Sequence, residues 1–148
     1  MKSPNTNFYV ILFIVMFIVG ICFNGMNVMV YDIDHLYLSL TLIYSGLFMA
    51  SNMLWAHEIL HYLSYGHFNQ IIFIIGILLS VIITIFLLRK QNYVNDKQWL
   101  KRMISHHSTA LTTSHKIYNK TNDEKIKELA KNIIQTQEDE IKIMKSLL

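Results

Sequence analysis

The sequence predicts an all-α membrane protein, with three transmembrane helices followed by a two-helix hairpin. Three observations lead there. Of 148 residues, 53% are hydrophobic and only 16% are charged, with a mean hydropathy of +0.33, too apolar for an ordinary soluble domain. The apolar residues crowd the chain before Arg89, whereas most Lys, Glu and Asp follow it. The charged remainder repeats in the period of packed helices. Two domains follow, 1–90 in the membrane and 91–148 in water.

The first span, 8–29 (FYVILFIVMFIVGICFNGMNVM), carries no charge. At 1.5 Å per residue it can cross a hydrocarbon core of roughly 30 Å. A signal peptide is the rival reading, but the run is long, its basic start is limited to Lys2, and no small-x-small cleavage site follows. Asp32 and Asp34 mark a short polar loop. The second span, 36–56 (LYLSLTLIYSGLFMASNMLWA), holds Ser, Thr and Asn of the kind that join helices in lipid. The third, 68–88, is the most apolar and stops at Arg89 and Lys90. Arg89, Lys90, Lys97, Lys101 and Arg102 cluster after it, so the positive-inside rule puts the hairpin in the cytoplasm. The first residues then face the other side, which Lys2 opposes.

After a linker near 91–96, helices are expected at about 97–118 and 123–148, separated by the turn Asn119-Lys120-Thr121-Asn122, with Thr121 or Asn122 as cap. On the second helix Ile126, Ala130, Ile133, Gln137, Glu140, Met144 and Leu147 form a seam. Leu100, Met103, His107, Ala110 or Leu111, Ser114 and Ile117 form its counterpart. Buried Gln, Glu and His need partners, each other or a metal. A hairpin this small buries little core alone, so pairing with another copy as a four-helix bundle is expected.

Lys and Glu alternate in the tail as on a solvated helix face, which excludes a nucleic-acid partner. Cys22 is the single cysteine, so neither a disulfide nor a Cys-based zinc site can be built within one chain.

The tail, RKQNYVNDKQWLKRMISHHSTALTTSHKI and then IKELAKNIIQTQEDEIKIMKSLL, resembles the DUF family 305. Met103, Ile104, His106, His107 and Ala110 fit its first block, and Ala130, Ile133, Gln137, Glu140, Ile141 and Met144 its second. The upstream DHLYLSLTLIY and the Arg-x-Gln-x-x-Val-x-Asp before the tail resemble its membrane-anchored branch, extending the likeness from Asp34 onward. The resemblance implies a ferritin-like helical bundle and, from secreted members linked to copper binding and metal tolerance, a metal. Ser105 stands where the family has Pro, and Thr113 where many soluble members have Met, which removes one soft ligand.

On a helix, Met103 and His107 share a face, with His106 beside them; Glu140 and Met144 are one turn apart, and Gln137 one turn before. Thioether, imidazole and carboxylate together suit copper better than Mg²⁺ or Ca²⁺. The alternative is a hydrogen-bond network of His107 with Glu140 or Gln137. His106 can equally face water, and His115 is expected at the surface.

A second constellation is HEILHYLSYGH, 57–67. His57 and His61 are spaced as in HExxH, with Glu58 between them and His67 at the place of a third ligand. The related proteases need Gly where Ser64 stands, and Gly66 comes instead. No strand-like segment exists to hold a peptide, and Asp32 and Asp34 are the carboxylates left to add. The residues read as a zinc metalloprotease or as a polar interfacial end bonded to itself and to lipid headgroups, with Trp55, Tyr62 and Tyr65 as belt residues. The resemblance implies a third reading, a second metal patch of copper or zinc, because members of the membrane-anchored branch are Met-rich along this stretch. No catalytic residue is assigned. The function expected is metal binding, copper or zinc, for buffering, sensing or tolerance, by a multi-pass protein of the lipid bilayer that self-associates. A structural scaffold without metal is the alternative.

Overall fold

The computed structural model describes residues 4–148. Among them the regular elements are all helical: α1 (Thr6–Cys22), α2 (Gly25–Val28), a 3-10 turn (Ile33–His35), α3 (Leu40–Tyr65), α4 (Gln70–Ile82) running on as a π-helical stretch (Ile83–Arg89), α5 (Asp96–Lys120) and α6 (Glu124–Ser146). The chain divides into two compact units. One combines the described residues up to Cys22 with Leu40–Tyr93, and the other Phe23–Ser39 with Val94–Leu148.

In the first unit α3 packs against both α1 and α4. Close approach of α1 to α3 depends on paired glycines: a Cβ on Gly20 would lie 2.9 Å from the Gly46 Cα, and one on Gly46 would lie 2.8 Å from the Ile21 Cγ1. Small residues at such a crossing let backbones touch where no larger side chain fits. Between α3 and α4 the Ser51 and Ser80 hydroxyls meet at 3.0 Å. Thr84 donates its hydroxyl to the Ser80 carbonyl at 2.7 Å, a side-chain bond of the kind that competes with the helical ladder, where the α-helix widens to its π-helical end.

Among the described residues two helices, not the expected three, combine the length and apolarity to cross a membrane: Thr6–Val28, taking α1 and α2 together, and Gln70–Arg89. The correction falls on 36–56. Its first residues are not helical, and α3 carries Ser45, Ser51, Asn52, His57, Glu58 and His61, which lower its apolarity. α3 also outruns that segment, ending at Tyr65 where Gly66 takes φ +73°, the left-handed conformation that closes many helices.

The linker before the tail is tied down within this unit. The Tyr44 hydroxyl donates to the Asn92 carbonyl at 2.7 Å, and Thr41 donates to Gln91 Oε1 at 2.8 Å. These bonds flank Gln91 and Tyr93, non-glycine residues at φ 50° and 65°.

In the second unit α5 and α6 form the expected hairpin, within a residue or two of the predicted bounds. Asn95 caps α5 by accepting the Gln98 N–H at 3.0 Å. The cap of α6 is Asp123, which accepts from Lys125 and Ile126 at 2.9 and 3.3 Å. Thr121, one of the two expected caps, accepts the Asp123 N–H instead, at 3.1 Å.

The seam differs from the simple heptad. Ala130, Ile141 and Met144 are buried on α6, but Ile126 and Leu147 are exposed. On α5 the buried row is Leu100, Ile104, Ser105, Ser108, Leu111 and Ser114, while Ile117 is exposed. The reason is a third layer. The stretch 23–39 that holds the Asp32–Asp34 loop lies on α5, and Tyr37 packs into the core of Leu100, Ile104, Leu111, Ile141 and Met144.

Candidate metal centre

Four of the six tail residues proposed from spacing line one groove, of about 320 Å³, between α5 and α6: Met103, His107, Glu140 and Met144, together with Trp99 and Ile143. α5 supplies Trp99, Met103 and His107 at successive turns, and α6 supplies Glu140, Ile143 and Met144. The groove is open to water. His106 is exposed, its ring 5.8 Å from that of His107, and neither it nor the half-buried Gln137 lines the groove.

The polar centre of this groove is one contact. Glu140 Oε2 lies 2.9 Å from His107 Nδ1. That nitrogen is buried, and the carboxylate is its close charged partner, which favours the protonated ring. Burial pulls the His107 pKa below its ordinary value, and His106 adds to this; Glu140 works in the opposite direction without reversing it. Desolvation penalises the imidazolium more than a half-exposed carboxylate can compensate. The ring is therefore neutral near pH 7, with a lone pair to offer.

A metal implied by the family resemblance can be tested against this donor set. One imidazole, one carboxylate and two thioethers form a mixed, predominantly soft set, which matches copper and mismatches the oxygen cages of Ca²⁺ or Mg²⁺. Among the described residues no group of three His, Cys, Asp or Glu side chains is placed to hold one ion. Any ion in the groove therefore depends on the methionines. By the chemistry of the donor set, His107, Glu140, Met103 and Met144 are the residues that would hold such an ion.

Spacing alone missed a network behind the groove. Ser108 Oγ accepts the Tyr31 N–H at 2.8 Å and lies 3.0 Å from His35 Nδ1. Ser105 Oγ donates to the His35 carbonyl at 2.7 Å and accepts the Tyr37 N–H at 3.3 Å. Both serines are buried. The Ser at 105, where the resembling family has Pro, thus fastens the 31–37 segment to α5. His115, expected at the surface, is half-buried and stacks on Tyr31 with ring centroids 4.8 Å apart. The signal available was a pair of serines three apart on a helix, beside the seam.

The HExxH-like stretch ends α3. Ser64 is helical and the turn comes at Gly66, so the sharp turn of the protease motif is absent at its required place. Glu58 is fully buried. Its Oε1 lies 3.3 Å from His57 Nδ1, and its Oε2 accepts the Asn69 N–H at 2.8 Å, anchoring the start of α4. His61 Nδ1 meets the His67 carbonyl at 3.0 Å. Glu58 thus joins His57 to the start of α4, and His61 is held to the turn after α3.

Residues 87–148 match the family described as Domain of unknown function (DUF305). The likeness read from Met103, His107, Glu140 and Met144 falls inside that range; its extension upstream to Asp34 falls outside. A similar protein is Uncharacterized protein L153 of Acanthamoeba polyphaga mimivirus, 47% identical over 68 residues, which are 46% of this chain and 45% of that protein. The chain therefore spans less than half the length of this curated relative. No solved structure matches.

Proposed function

We propose that this DUF305 tail binds a copper ion in the α5–α6 groove, and that the chain is a membrane-anchored metal-binding protein serving buffering, sensing or tolerance. The observation that carries the proposal is the convergence on one groove of the His107 ring, the Glu140 carboxylate 2.9 Å from its Nδ1, and the Met103 and Met144 side chains. Thioether and imidazole favour Cu(I), and the carboxylate offsets charge; Zn²⁺ is the competing ion. Trp99 on the rim places a reporter at the site.

The test uses the full chain in detergent micelles, titrated with Cu(I) against a chromophoric chelator. One ion per chain and quenching of Trp99 emission are expected. His107→Ala and Met144→Leu each weaken binding roughly tenfold or more. Equal affinity in wild type and both variants overturns the proposal.

Anchoring rests on Thr6–Val28 and Gln70–Arg89. Arg89, Lys90, Lys97, Lys101 and Arg102 favour a cytoplasmic tail in a multi-pass arrangement. Protease digestion of sealed inside-out vesicles should remove the tail; protection there refutes this orientation.

A specific observation also favours the scaffold reading. Leu129 and Ile143 on α6 and Leu147 just past its end are 59%, 59% and 66% exposed, more apolar surface than a lone hairpin needs, and a second copy would cover it in a four-helix arrangement. A dimeric mass in micelles that persists with no copper bound supports the scaffold in place of the metal; a monomeric mass removes it.

A further inference from the structure

His57 and His61 are prepared in a different manner from His107. They stand one turn apart on α3, with ring centroids 5.7 Å apart and planes 24° from parallel. Each has its Nδ1 next to a group that accepts. For His57 it is the Glu58 carboxylate at 3.3 Å, and for His61 the His67 carbonyl at 3.0 Å. A carbonyl or an ionised carboxylate has no proton to give, so the proton of each neutral ring sits on Nδ1 and the lone pair on Nε2.

Both acceptors are held in place. Glu58 is fully buried and its second oxygen is engaged by the Asn69 N–H at 2.8 Å. The His67 carbonyl is brought back by the left-handed Gly66, whose own N–H bonds the Tyr62 carbonyl at 2.8 Å. An acceptor on the far nitrogen that fixes tautomer and ring orientation is the outer-shell arrangement of metal-binding histidines.

We propose that His57 and His61 form a two-imidazole site for a borderline divalent transition ion, Zn²⁺ or Cu²⁺, at the α3–α4 turn, with Nε2 of each as ligand. Water or an added ligand completes the coordination. His67 is exposed, its ring 6.3 Å from that of His61, and is not placed with the other two as a third ligand. Glu58 is a positioning residue here and not a general base, because both its oxygens are already engaged. The site lies wholly in the first unit and does not depend on the tail groove.

The test uses the full chain in detergent micelles with His107→Ala to silence the tail. Calorimetric titration with Zn²⁺ alone should give one ion per chain, lost in His61→Ala. Glu58→Gln keeps the side-chain shape and an oxygen for the Asn69 N–H, but turns an amide N–H toward His57. The His57 proton then moves to Nε2, and Zn²⁺ affinity falls roughly 10- to 100-fold.

Long-range ¹H–¹⁵N spectra of the metal-free protein supply a second measurement that needs neither binding nor a variant. Nδ1–H forms of His57 and His61 support the proposal. Nε2–H forms in wild type, or Zn²⁺ binding unchanged by His61→Ala, overturn it.

Discussion

Replacing Ser108 by Ala isolates what fastens the 31–37 segment to the tail. In wild type the Ser108 hydroxyl is fully buried, accepts the Tyr31 N–H at 2.8 Å and lies 3.0 Å from His35 Nδ1. Alanine fits the same space, so packing is kept, but the Tyr31 amide loses its acceptor in a site half closed to water. Leaving such a donor unpaired costs about 1–3 kcal/mol. At about 1.4 kcal/mol per factor of ten, local opening becomes roughly 5- to 150-fold more frequent. Amide hydrogen exchange on the full chain in micelles reads this directly: the Tyr31 amide should exchange faster by that factor, while the Leu111 amide in the middle of α5 stays protected. Ser105→Ala should instead release Tyr37, whose N–H it accepts at 3.3 Å. Unchanged exchange at Tyr31 in Ser108→Ala would mean that Tyr37 in the core alone holds the segment, and would refute the hydroxyl's role.

Gly46→Ala should destabilise the first unit by about 1–3 kcal/mol through overpacking, because the new Cβ would fall 2.8 Å from Ile21 and 3.1 Å from the Phe17 carbonyl. Gly25→Ala, with nothing nearer than 4.0 Å, is the control; equal thermal midpoints for the two contradict the close crossing. The tail should lose stability in acid. His35 and His107 have folded-state pKa values below the ordinary 6.5, through burial first, with Lys145 adding for His35 and His106 for His107, against Asp32, Asp34 and Glu140. The unfolded chain thus binds more protons below about pH 6.5, so the contribution is complete above that pH and is lost as pH falls through the folded-state values. Thermal melts near pH 7.5 and pH 5 should show a lower acid midpoint, with a smaller drop in His35→Asn; a higher acid midpoint reverses the sign and refutes it.

Helix content, the hairpin with its turn near Asn119–Asn122, and the pairing of Met103 with His107 and of Glu140 with Met144 were legible because they depend on local period. Residues three and four apart on a helix share a face wherever the helix lies. The same rule misplaced Ile126, Leu147 and Ile117, which the structure leaves exposed. It treats each helix as meeting one neighbour, whereas α5 meets two, α6 on one side and the 31–37 segment on the other. Composition likewise showed that 36–56 was uncharged. It could not show that the helix there begins at Leu40, runs to Tyr65 and carries a fully buried Glu58 whose carboxylate ties two helices together.

The sequence by itself determined an α-helical chain with an apolar first part, a charged hairpin, one helix face carrying Met103 and His107 and another carrying Glu140 and Met144, since these follow from hydropathy and helical period. That two helices and not three are long and apolar enough to span is a finding of the structure. Only the tertiary structure decided which histidine nitrogens have acceptors, that Ser105 and Ser108 clasp a segment some seventy residues earlier, and that His106 and Gln137 stay out of the groove. Those outcomes depend on contacts between residues far apart in sequence and on side-chain direction, which no local period encodes.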